Sequence, residues 1–101
     1  MRAGDKITIE ANGSSDEIEW VFGRGTFAAK GTFDGATVTL EANIADTGWV
    51  PVHDSAALTA DGVVNFELSP CKIRITTSDA GGSTSVQAAI GKGIVRPQRL
   101  T

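Results

Sequence analysis

Residues 33–42 of the chain read FDGATVTLEA. From Thr37 onward apolar and polar side chains alternate strictly, which is typical of a β-strand with one buried and one solvated face. The Asp34-Gly35 pair directly before this run tolerates the positive φ angles of a tight hairpin turn. We therefore expect a hairpin in which this pair joins a strand over residues 26–33 to a strand over residues 36–43.

The same pattern extends outward in both directions along the chain. A second Asp-Gly pair, Asp61-Gly62, precedes the alternating run 63–68 and predicts a second hairpin. Pro70 predicts the start of a further strand, because proline cannot donate a hydrogen bond to a β-ladder. No window supports a helix of ten residues, although residues 55–61 could hold one helical turn in place of a strand and turn. The predicted strands cover residues 5–12, 17–23, 26–33, 36–43, 48–53, 57–60, 63–68, 71–77 and 84–90.

These strands predict an all-β fold. Short antiparallel strands at this spacing are typical of a two-sheet β-sandwich, jelly-roll-like or immunoglobulin-like, with about eight strands. We assign residues 1–90 to this β-sandwich domain. Residues 91–101 carry three basic residues and no acidic one, and we expect them to form a basic, extended C-terminal arm. The net charge of −3 for the whole chain then leaves −6 for the sandwich.

Composition argues against several classes of function. The chain has 101 residues, of which 41% are hydrophobic, with one His and one Cys. These two residues are too few for a multi-ligand zinc site or a disulfide framework. The acidic sandwich argues against nucleic-acid binding, and no apolar run approaches the ~20 residues that cross a membrane. We expect a protein that is not an enzyme, with no catalytic residues, no metal, no cofactor, and neither nucleic acid nor membrane as a partner.

Three features resemble chemical sites but have simpler explanations. Residues 53–55 are His, Asp and Ser, the residue types of a hydrolytic triad, but neighbours on a strand point to opposite faces. Asp16, Glu17 and Glu19 could bind a hard cation, yet they do not have the spacing of a calcium loop, and we expect a solvated acidic face. We expect Cys71 to be a small buried residue rather than a reactive thiol.

The tryptophans divide the expected core from the expected surface. Trp20 and Phe22 lie on the same face of a predicted strand, so we expect both to be buried. Trp49 follows a turn, and the sequence leaves two orientations of its side chain open. If Val50 and Val52 point inward, Trp49 faces outward and marks a contact surface; otherwise it caps the end of the core.

The candidate protein-binding residues lie mainly in the C-terminal arm. The sequence leaves two interpretations of residues 91–101 open: a flexible terminus, which is the default for a chain end, or an arm that docks on an acidic surface. The aliphatic side chains support the docking arm, because a purely solvated tail needs none. Arg24 is a secondary candidate, expected at the exposed tip of a Gly-Arg-Gly turn. The full set is Lys92, Arg96, Arg99, Leu100, Trp49 and Arg24.

One longer pattern is similar to a known group of proteins. Residues 31–42 read GTFDGATVTLEA, residues 46–52 read DTGWVPV, and residues 58–75 read LTADGVVNFELSPCKIRI. This succession resembles small virion proteins of tailed bacteriophages, and it covers roughly residues 26–77, about half of the chain. The matching motifs are hairpin turns and alternating strands, so no active residue is implied.

The resemblance implies a role and a location. It implies a small β-sandwich on the capsid surface of a virion, where it would decorate or cement the capsid by binding the major capsid protein. We expect a homo-oligomer there, with a trimer favoured, because repeated weak contacts on a symmetric shell add up to firm attachment. The alternative is a tail- or fibre-associated module that binds carbohydrate or a receptor through an exposed Trp49 beside Asp46 and Asp54.

Overall fold

The structure is a computed structural model that describes residues 4–92, and its regular elements are β-strands apart from one short 3₁₀ helix at Asp54–Ala56. The strands are β1 (Lys6–Ile9), β2 (Gly13–Ser14), β3 (Ile18–Trp20), β4 (Gly23–Thr32), β5 (Thr37–Asn43), β6 (Trp49–Pro51), β7 (Ala57–Leu58), β8 (Gly62–Leu68), β9 (Cys71–Ser78) and β10 (Ser85–Lys92).

The strands form two antiparallel sheets that pack face to face. The first sheet has the order β1-β10-β4-β8. In the second sheet β9 pairs with β5, both β2 and β3 pair with the outer side of β9, and both β6 and β7 pair with the outer side of β5. Each of these two pairs of short strands therefore occupies one strand position. The prediction of an all-β sandwich of about eight strands is confirmed.

The order of these positions is that of a jelly roll. Numbered along the chain, the first sheet runs 1-8-3-6 and the second runs 2-7-4-5. Position 1 pairs with 8, 2 with 7, 3 with 6 and 4 with 5, as if one long antiparallel ribbon were rolled up so that its successive parts alternate between the sheets. Of the two types of sandwich that the sequence left open, this is the jelly-roll type.

The two Asp-Gly turns do not form hairpins, which corrects the sequence-based prediction. The turn at Asp34-Gly35 is present, with φ angles of 47° and 88° and a 2.9 Å hydrogen bond from the Ala36 N–H to the Phe33 carbonyl. It leads, however, from β4 in the first sheet to β5 in the second. Asp61-Gly62 leads back from β7 to β8. Two consecutive alternating strands can pair side by side in one sheet or face each other across the core, and in either case their apolar faces are buried. At both Asp-Gly turns the chain crosses the core.

The core lies between the sheets, where their inward faces meet. Trp20 packs against Phe66 with ring centroids 5.0 Å apart, and its indole N–H donates to the Gly23 carbonyl over 3.2 Å. Phe22 was predicted to be buried with Trp20, but it is 60% exposed. The reason is that β3 ends at Trp20, and the chain changes sheets before β4 begins. The largest fully buried side chains are Trp20, Phe27, Leu40, Ile73, Ile75, Ile90, Val38 and Val86.

Residues 52–56 close one side of the sandwich. The Val52 N–H donates to the Leu40 carbonyl on β5 over 3.0 Å, and His53 Nε2 lies 3.2 Å from the Asn65 carbonyl oxygen on β8. The 3₁₀ helix follows at once and buries Ala56 completely. This segment therefore bridges the edge of the first sheet and the second sheet, and it supplies the helical turn that the sequence left open.

Candidate functional site

One end of the sandwich exposes large apolar side chains. β3 and β5 pair with opposite sides of the beginning of β9, which places the β3–β4 and β5–β6 connections at the same end of the sandwich. Val21 and Phe22 in the first connection are 65% and 60% exposed, and Ile44 in the second is 46% exposed. We call these three residues the apolar end. Exposed apolar side chains gathered at one end of a domain indicate a contact surface more strongly than scattered ones do.

Sequence reasoning missed the apolar end because it extended β3 to residue 23 and placed Phe22 in the core. A signal was available. Val21 and Phe22 are adjacent, and adjacent residues on a strand point to opposite faces, so both could not be buried in one core. The break in alternation at this pair marks the loop.

The opposite end carries acidic charge. Its four connections, β1–β2, β4–β5, β7–β8 and β9–β10, contain no Lys or Arg. Their exposed carboxylates, which we call the acidic end, belong to Glu10, Asp34, Asp61 and Asp79. Two of them also hold the loops in place, since Asp34 Oδ2 accepts the Ser83 N–H over 2.8 Å and Asp61 Oδ1 accepts the Gly31 N–H over 2.9 Å. The connections at the apolar end contain one carboxylate, that of Asp46, and no Lys or Arg, so the two ends differ in polarity and in the number of acidic side chains.

Lys92 lies at the apolar end but in a strand. It is the last residue of β10 and pairs with Gly25, so it belongs to the first sheet rather than to an arm that begins at residue 91. Its ammonium nitrogen is 5.8 Å from the centroid of the Trp20 ring, within the range of a cation–π contact. The chain continues beyond Lys92 from this end. Arg96, Arg99 and Leu100 lie outside the described residues.

Arg24 lies within β4 and not at the tip of a turn, which corrects the sequence-based prediction. Residues 23–25 pair with Leu68, Glu67 and Phe66 of β8. The glycines indicated a turn by composition, but Gly25 is needed for space, because a Cβ there would lie 2.5 Å from Phe66 Cζ. The Arg24 side chain is still exposed, opposite Glu67 on the outer face of the first sheet.

Trp49 lies on the outer face of the second sheet, at the edge formed by β6. It is half-buried, because the Arg74 guanidinium covers one face of its ring at 4.2 Å from the centroid. The same guanidinium donates through Nε to Glu41 Oε1 over 2.9 Å, and the Thr76 hydroxyl donates to that oxygen over 2.8 Å. Trp49 is thus part of a closed network of polar contacts, and only its other face could meet a partner.

Cys71 is buried at the start of β9. Burial raises the pKa of its thiol above the ordinary value of 9.0, and the negative charge of Glu19 raises this pKa further. The neutral thiol is therefore favoured in the folded protein. Its contribution to stability is present below about pH 9 and is lost as the pH rises through the higher pKa of the folded state.

We expect the Cys71 thiol to react slowly with maleimide at pH 7.5, because the thiolate is the nucleophile and burial disfavours it. Val63 is 69% exposed, so a Val63→Cys variant provides an open thiol in the same chain. Mass spectrometry over time should show one fast and one slow addition in this variant, and two fast ones in urea. Two fast additions without urea would contradict the burial of Cys71.

Among residues 4–92, no group of three His, Cys, Asp or Glu side chains could hold a metal ion. His53 contacts the Asn65 carbonyl and does not meet a nucleophilic hydroxyl in a described hydrogen bond. In the same part of the chain there is no helix with the length and apolarity needed to cross a membrane.

Comparisons with family models, with curated proteins and with solved structures find no match to this chain.

Proposed function

We propose that this chain is a non-enzymatic structural protein of a bacteriophage virion, which decorates or cements the capsid by docking its apolar end on the major capsid protein. The observation that carries the proposal is the exposure of Val21, Phe22 and Ile44 in two loops at the same end of the sandwich. The resemblance of residues 26–77 to small phage virion proteins favours the major capsid protein as the partner.

Burial of the apolar end would supply useful binding energy. Burying a whole Val, Ile or Phe side chain stabilises by about 1.5–3 kcal/mol. About half or more of each of the three side chains is still exposed, so a matching apolar socket would gain roughly 1–2 kcal/mol from each. That is weak for one copy, but many copies on a symmetric shell attach firmly together.

The charge distribution supports a single orientation on the shell. The acidic end lies opposite the apolar end, where β10 ends at Lys92, and residues 92–101 contain three basic residues and no acidic one. An acidic rim around an apolar socket on the capsid would attract the apolar end and repel the acidic end. The acidic end would then face the solvent and keep decorated particles apart.

The jelly-roll strand order also supports the proposal, since this fold is common in viral capsid domains and lectins. A carbohydrate-binding tail or fibre module is therefore the alternative. It would depend on Trp49, and we favour the capsid because the Arg74 guanidinium already covers one face of that ring.

The test is co-sedimentation of the purified chain with capsids stripped of accessory proteins. We expect saturable binding at a fixed ratio to the capsid subunit. The double variant Val21→Ser, Phe22→Ser should bind about 30- to 1,000-fold more weakly, which corresponds to the roughly 2–4 kcal/mol of burial that it loses.

The matched control is Val63→Ser, which removes a side chain of similar exposure, 69% against 65% for Val21 and 60% for Phe22, from the outer face of the first sheet. It should bind as the unchanged protein does. Undiminished binding of the double variant would refute docking through the apolar end. If the unchanged chain ignores capsids but a glycan array detects binding that Trp49→Ala abolishes, the carbohydrate module is correct.

A further inference from the structure

A cleft of about 580 Å³ opens on the side of the sandwich between β1 and the segment that contains β2. This volume is typical of sites that bind a ligand or a short peptide. Buried core side chains reach its lining, among them Ile9 and Ile75, which are 8% and 1% exposed. The cleft is therefore an opening between the two sheets and not a shallow depression on the surface of one sheet.

The two sides of the sandwich are closed differently. Residues 52–56 bridge the sheets beside β8, as described above. On the other side, β1 pairs with β10 along one edge and with no described strand along its second edge. In an antiparallel strand, alternate residues direct their N–H and C=O groups toward the free edge. β1 therefore presents backbone hydrogen-bonding groups to the cleft, where an added strand could pair with them.

We propose that the cleft binds residues 93–101 of a second copy of this chain, lying in extended form along the free edge of β1. The occupant has the sequence GIVRPQRLT. Its aliphatic residues Ile94, Val95 and Leu100 match the apolar lining between the sheets. Pro97 lacks an N–H, but an edge strand tolerates a proline whose nitrogen faces away from its neighbour.

The length of residues 93–101 also favours this segment as the occupant of the cleft. Nine extended residues reach about 30 Å. The four residues of β1 span about 13 Å, so enough of the arm is left to cross between two molecules.

The direction of the strands indicates a second copy as the donor. β10 ends where β1 begins, and the Gly4 N–H donates to the Ile90 carbonyl over 2.7 Å at that point. The arm of the same chain would have to reverse at Lys92 and pass around the residues before β1 to reach the cleft. An arm that arrives from a neighbouring molecule needs no reversal.

Each copy would then donate one arm and accept one arm. Such a head-to-tail contact closes into a ring when the rotation between copies is a whole fraction of a turn, as in a trimer. This assembly does not require a capsid, so it can fail while the proposed function holds, and the reverse is also possible.

The test is disulfide trapping in the full chain. In a Cys71→Ala background, Ala11→Cys places a thiol at the exposed cleft lining, and Leu100→Cys places one in the arm. After oxidation with oxidised glutathione we expect covalent dimers and larger species on a non-reducing gel. The matched control pairs Leu100→Cys with Val63→Cys, whose site is exposed on the opposite edge of the first sheet. It should give about tenfold less covalent product.

Two outcomes overturn the proposal. A disulfide within one chain, seen as oxidised protein of monomer mass, would mean that each molecule binds its own arm. Equal yields for the cleft and control pairs would mean that the cleft does not select the arm.

Discussion

Replacing Gly31 with alanine is expected to lower the free energy of unfolding by about 3 kcal/mol or more. Gly31 lies in β4 with a φ angle of 145°, which side chains of L-residues rarely tolerate. A Cβ at this position would clash with the Ser85 carbonyl oxygen and lie 3.0 Å from Val86 Cα. Both are backbone atoms of the paired strand β10, so only a shift of the strand could relieve the clash.

Urea unfolding followed by tryptophan fluorescence measures this effect. The matched control is Gly82→Ala in the β9–β10 loop, where a Cβ would meet no atom within 4 Å. We expect the control to change stability by less than about 1 kcal/mol. Insoluble Gly31→Ala protein beside soluble Gly82→Ala protein would agree with the prediction. Equal midpoints for the two variants would show that β4 and β10 do not approach each other as described.

Gly25→Ala is expected to destabilise the protein by about 2 kcal/mol. The clash here is with side chains, since the added Cβ would lie 2.5 Å from Phe66 Cζ and 2.7 Å from Trp20 Cη2. These two rings pack against each other with centroids 5.0 Å apart, and Trp20 is only 2% exposed. Because a packed core has little free volume, the indole must move or the sheets must separate.

This prediction has a spectroscopic signature. A displaced Trp20 should change the near-ultraviolet circular dichroism of the folded protein, in addition to lowering the midpoint of unfolding. Gly91→Ala is the matched control, because Gly91 also lies in a strand of the first sheet but its Cβ would be 4.0 Å from the nearest atom, the Thr26 carbonyl oxygen. Loss of stability in both variants alike would point to the strand propensity of glycine and against a clash with Trp20.

The positions of the strands could be predicted from the sequence. β5, β8, β9 and β10 fall within one or two residues of their predicted ranges. Their alternation is strict, and it reports directly which side chains face the core. β3 was predicted to be longer than it is, because Val21 and Phe22 are apolar and continue the run without continuing the strand.

The candidate site could be predicted only in part. The basic charge of the C-terminal residues is visible in the sequence, and the prediction that it binds a protein remains to be tested. The apolar end could not be predicted, because Ile44 is 23 positions from Val21 and the two loops reach the same end of the sandwich only through the pairing of β3 and β5 with β9. The acidic end could not be predicted for the same reason, since its four carboxylates lie in four separate connections.

The sequence by itself determined the all-β class and the buried side of the strictly alternating strands, such as β5 and β9, because both follow from local alternation. Only the tertiary structure decided which strands pair. The φ angles at Asp34-Gly35, 47° and 88°, are those of a tight hairpin turn, yet the turn passes from one sheet to the other. The choice depends on how the apolar faces of β4, β5, β8 and β10 together exclude water, and this is a property of the whole core.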